Sequence, residues 1–62
     1  MELLEKLKTE CTELSEKLVR LKIFLASKRD ELSKDEYALL TAQEYAMELY
    51  LSILRKRIEQ YS

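Results

Sequence analysis

Ser27-Lys28-Arg29-Asp30-Glu31-Leu32-Ser33-Lys34-Asp35-Glu36-Tyr37 decides the fold, because here one helix stops and another starts. The apolar period lapses at Ser27, and Lys28 and Arg29 sit where the negative end of a helix dipole favours cations. Ser33 is followed three positions later by Glu36. That is a capping box, and Leu32 with Tyr37 takes the flanking positions of a hydrophobic staple. The expected elements are therefore helix one over about 2–29, a connection over about 30–33 and helix two over about 34–60.

Upstream of this break, Leu4, Leu7, Cys11, Leu14, Leu18, Leu21 and Leu25 alternate steps of three and four, which marks one narrow helical stripe. The other side carries Glu2 with Lys6, Glu13 with Lys17 and Glu16 with Arg20, each acid one turn before its base, as on a solvated face. Downstream, Tyr37, Leu40, Glu44, Met47, Leu51, Leu54, Ile58 and Tyr61 repeat the alternation with one polar interruption. The stripes match in length, so the fold class is all-α: a two-helix antiparallel hairpin, with Leu4 near Ile58 and Leu25 near Tyr37.

Helix two bears a second stripe, Leu39, Ala42, Ala46, Leu49 and Ile53, and helix one adds Val19, Ile23, Phe24 and Ala26 outside its main stripe. One partner helix cannot cover so much, and two helices seldom make a self-sufficient core. The surplus predicts a homo-oligomeric helical bundle, a dimer or larger. Leu39, Ala42, Ala46, Leu49, Ile53, Val19 and Ile23 are the expected interface, with the alanines permitting close approach.

Composition narrows the function. The 62 residues, beginning at Met1, are expected to be one complete small domain spanning 1–62. Glycine, proline and histidine are absent and 37% of residues are charged. Phosphate loops lack their glycines, and the usual neutral-pH base and commonest metal ligand are missing. No catalytic residue, metal or cofactor is assigned, and the chain is read as a non-enzymatic binding protein. The balance of 11 basic against 12 acidic residues provides no field for a nucleic-acid backbone, so nucleic acid is not an expected partner. No run reaches the ~20 apolar residues of a membrane span, and the single Cys11 suits a reducing cytoplasm.

Four features invite a functional reading beside a structural one. Cys11 falls in the core stripe, as a small hydrophobe or as a reactive thiol. Glu44 interrupts an apolar stripe, either pairing with Lys17, Lys22 or a neighbouring subunit's base, or contacting a ligand. Arg55-Lys56-Arg57 either compensates the dipole at the end of helix two or grips phosphate through its two arginines, a site that oligomer symmetry would duplicate. Tyr45, Tyr50 and Tyr61 either pack or stack on a base. The candidate ligand-binding set is Arg55, Arg57, Tyr50, Tyr45 and Glu44.

Leu21-Lys22-Ile23-Phe24-Leu25-Ala26-Ser27, then Leu32-Ser33-Lys34-Asp35-Glu36-Tyr37-Ala38-Leu39-Leu40, then Gln43, Ala46-Met47, Tyr50, Ile53-Leu54 and Arg57-Ile58 carry a resemblance. From about residue 10 onward the chain resembles a family of small helical-hairpin proteins encoded by crAss-like and other tailed phages. The resemblance implies a phage accessory protein in the host cytoplasm that binds and disables a host component. One route is an oligomeric sponge, similar in architecture to anti-CBASS cyclic-nucleotide sponges, sequestering a cyclic or signalling nucleotide between subunits with Arg55, Arg57 and tyrosines. The alternatives are a protein-protein adaptor that inhibits a host protein and an RNA-binding bundle like the plasmid copy-control protein Rop, whose dense basic face this chain lacks.

Overall fold

A computed structural model describes residues 2–61 and has the expected plan: α1 over Glu2–Lys28, a 3-10 turn over Arg29–Glu31, and α2 over Lys34–Glu59. The two helices pack along their length into a rod of 45 × 14 × 13 Å, close to the ~40 Å that 1.5 Å per residue gives for either helix. Helix one stops just short of the expected 29, where Lys28 leaves helical geometry at φ −115°, ψ 13° and the chain tightens so that Leu32 N–H donates to Arg29 C=O at 3.3 Å. Helix two stops one residue before the expected 60.

The start of α2 has the capping box in full. Glu36 N–H donates to Ser33 Oγ at 3.1 Å, and Ser33 N–H donates to Glu36 Oε1 at 3.0 Å. Two helix-terminal donors are thereby satisfied. The Ser33 backbone N–H, and after it the Ser33 hydroxyl, favour the ionised carboxylate and hold the Glu36 pKa below its ordinary value. Arg29 lies over the Tyr37 ring at 5.1 Å from its centre, covering the half-buried staple residue from the turn side.

The seam contains the two main stripes. Leu7, Leu18, Leu25, Leu51 and Leu54 are buried, Leu54 completely. Leu4, Cys11, Leu14, Leu21, Tyr37, Leu40, Glu44, Met47 and Ile58 are half-buried around them. Tyr61, expected at the end of the second stripe, departs from it. It lies in the turn beyond Glu59 and is largely exposed, since the helical period no longer applies there. Among the described residues no helix is long and apolar enough to cross a membrane.

Candidate functional site

On one flank of the seam, Ser15, Leu18, Val19 and Lys22 of α1 face Glu48, Leu51 and Arg55 of α2 across an open groove of about 380 Å³. Leu18 and Leu51 are its apolar floor and the polar groups its rim. Lys22 Nζ bonds Glu48 Oε1 at 2.7 Å across the groove. That hydrogen bond and the Glu48 charge, with a smaller contribution from Glu44, raise the Lys22 pKa above its ordinary value. Arg55 lines the same groove and takes part in neither ion pair found among the described residues.

The opposite flank is closed by a second cross-helix bond. Tyr50 Oη donates to the Glu10 carboxylate, 2.9 Å from one oxygen and 3.0 Å from the other. The accepting carboxylate, partial burial and the Glu10 charge raise the phenol pKa, against the nearby Arg57 charge. Tyr50 is thus a strut between the helices rather than a free stacking surface.

The hairpin does not gather the candidate ligand residues into one place. Arg55 and Arg57 are two positions apart, roughly 200° around a helix. Arg55 opens into the groove and Arg57 lies on the Tyr50 flank. Glu44 is half-buried and its field reaches Lys22, one of the bases expected to meet it, although Lys22 makes its direct bond to Glu48. Tyr45 is exposed and lines none of the grooves described. Sequence reasoning did not place Ser15, Glu48 or Glu10. Glu48 and Glu10 each meet a partner more than twenty positions away, and periodicity carries no information about cross-helix polar pairs.

The surplus apolar residues are exposed in the hairpin, as the count of stripes requires: Val19, Ile23, Leu39, Leu49 and Ile53 all present half or more of their surface or close to it, and Ala42 and Ala46 are exposed. They do not form one face. Positions 42, 46, 49 and 53 lie on the side of α2 turned away from α1, whereas Val19 lies on the rim of the groove. Cys11 is a free, half-buried cysteine, and among the described residues no cluster of three or more His, Cys, Asp or Glu is arranged to hold a metal.

A model of the Sequestin family matches residues 1–60. The chain belongs to the Sequestin family. No curated protein and no solved structure matches it. The family name hints at sequestration by binding.

Proposed function

We propose that this member of the Sequestin family is a non-enzymatic phage accessory protein that acts stoichiometrically, as an oligomer sequestering a nucleotide signal of host antiphage defence. The observation that carries the reading is Arg55, a guanidinium without a carboxylate partner among the described residues, at the edge of a groove of about 380 Å³ that also contains Lys22 and Ser15. A guanidinium presents two parallel donors to a phosphate, Lys22 adds a point charge and Ser15 a hydroxyl. Leu18 and Leu51 provide an apolar floor for a base or sugar. Glu48 is the internal counter-ion of Lys22, and an incoming phosphate takes its place.

The family name supports sequestration, and the likeness in architecture to anti-CBASS cyclic-nucleotide sponges supports the ligand class. The exposed stripes of α2 and α1 support the oligomer. A second reading, inhibition of a host protein, is favoured by Val19 and Ile23, which stay exposed on α1 at 55% and 62% and match a hydrophobic contact surface.

Native mass spectrometry of protein purified from cells expressing nucleotide-based immune systems tests the proposal. The expected result is an oligomer carrying a nucleotide mass that Arg55→Glu removes while helical circular dichroism is unchanged. An oligomer without adduct across several signalling systems would overturn nucleotide sequestration and favour the host-protein reading.

A further inference from the structure

We propose that a second copy of this chain docks antiparallel along the outer side of α2, with Ala46 on the twofold axis. The inference gives a geometry to the oligomer invoked above and is independent of which ligand that oligomer holds. Leu39, Ala42, Ala46, Leu49 and Ile53 repeat at steps of three and four on the side of α2 opposite the seam, and Leu39 is 73% exposed. This is a coiled-coil seam without its partner.

More than one antiparallel register mates the stripe with itself: a turn about position 44 would pair Leu39 with Leu49 and Ala42 with Ala46, and a turn about Ala46 pairs Leu39 with Ile53. Ala46 is the stripe's midpoint, with Leu39 and Ile53 seven positions to either side. Turning a second copy about Ala46 sets Leu39 against Ile53 and Ala42 against Leu49, large residue to small or large to large at the ends, and Ala46 against Ala46 at the point of closest approach. Small residues there allow the helix axes to near the ~8 Å limit of helix packing, and the contact is isologous, so it closes as a dimer.

Charge selects the second register. Asp35 and Arg57 lie eleven positions either side of Ala46, and helical geometry sets them about 40° apart, Asp35 in line with Ile53 and Arg57 in line with Leu39 toward the Tyr50 edge. Each copy's Asp35 therefore meets the other's Arg57, twice by symmetry. Arg57 has no carboxylate partner within the hairpin among the described residues. Lys34 and Lys56 fall on the opposite edge, where both extend into water. A parallel pairing would instead align Arg57 with Arg57 and Asp35 with Asp35. Tyr45, 71% exposed in the hairpin, flanks the stripe and is covered by Leu49 of the second copy.

Cysteine placement reads the geometry directly. In the full chain carrying Cys11→Ala, Ala46→Cys is expected to oxidise to a covalent dimer of twice the 7.4 kDa chain mass, because only residues on the axis bring their Cα atoms within the ~4.4–6.8 Å of a disulfide. Ala42→Cys, displaced ~12 Å along the axis from its symmetry mate, is expected to stay monomeric on denaturing gels. Cross-linking at Val19→Cys instead of Ala46→Cys, or a monomer mass for the unaltered chain in solution, would overturn the proposal. A charge exchange provides a check free of cysteine. Asp35→Arg and Arg57→Asp should each lower the dimer fraction, and the double variant should restore it. Both changes oppose the α2 dipole, so recovery in the pair cannot come from the helix itself, and a further loss in the pair would refute the contact. Nucleotide plays no part in either readout, so failure of the sponge reading would leave the cross-link intact.

Discussion

The inner and outer stripes of α2 share a helix, a spacing and an aliphatic character, yet the hairpin covers one and leaves the other in water. Leu51 and Leu54 on the inner side are 5% and 0% exposed, while Leu49 and Ile53 on the outer side are 57% and 48% exposed. What separates them is that α1 packs against one side of α2 only. The inner seam is flanked on one edge by Lys22 to Glu48 and on the other by Tyr50 to Glu10, whereas among the described residues no second helix lies against the outer stripe. Hydrophobic period thus announces a face, and the packing of the two helices, which neither period fixes alone, decides which face is covered.

The contrast is broken most sharply by putting the same charge into each stripe. Leu54→Asp would bury an unpaired carboxylate at a site with no solvent exposure, a penalty of several kcal/mol that a domain of this size cannot absorb. The helical circular dichroism is expected to disappear. Leu49→Asp meets water in the hairpin, so helix should persist at low temperature while the melting midpoint falls and loses its dependence on protein concentration. Equal loss of helix in both variants would mean that the outer stripe is as necessary to folding as the inner one.

The sequence carries the hairpin almost entirely. Steps of three and four from Leu4 to Leu25 and from Tyr37 to Ile58 mark every position that the seam buries or half-buries on the two stripes, and Ser33 with Glu36 locates the start of α2. The site is less legible. Arg55-Lys56-Arg57 looks like one cluster along the chain, but neighbours two apart on a helix face nearly opposite ways, so Arg55 and Arg57 belong to different flanks. Lys22 with Glu48 and Glu10 with Tyr50 depend on the relative rotation of two packed helices, a quantity set by side-chain interdigitation and not by the period of either helix alone. Tyr61 shows the same limit at a helix end, where the last turn releases a residue that the period assigns to the core.

A weaker perturbation acts on how α2 is started rather than on what it buries. Ser33→Ala removes the side-chain acceptor of the Glu36 N–H and half of the capping box. The expected cost is about 1 kcal/mol, read as a fall in the denaturant midpoint with an unchanged slope. Both stripes should suffer together, because the cap sets the helix that carries them, so the cross-linking pattern at Ala46 should remain while the midpoint drops.

Titration separates the struts from the cap with the smallest effects. Lys22 and Tyr50 have pKa values raised in the fold, the first by its bond to Glu48 and the second by its bond to Glu10. Stability from both is complete below their unfolded values, near ~10.4 and ~10, and is lost as pH rises through the higher folded values. Glu36 is depressed, so its contribution is present above the ordinary carboxylate value of ~4.3 and fades as pH falls through the lower folded one. Melting midpoints across pH should therefore decline at both extremes. Tyr50→Phe should flatten the alkaline limb and leave the acid limb alone, and Glu36→Gln should do the reverse, since glutamine can still accept from Ser33 N–H without titrating. An alkaline limb unchanged by Tyr50→Phe would show that the Tyr50–Glu10 bond contributes no measurable stability.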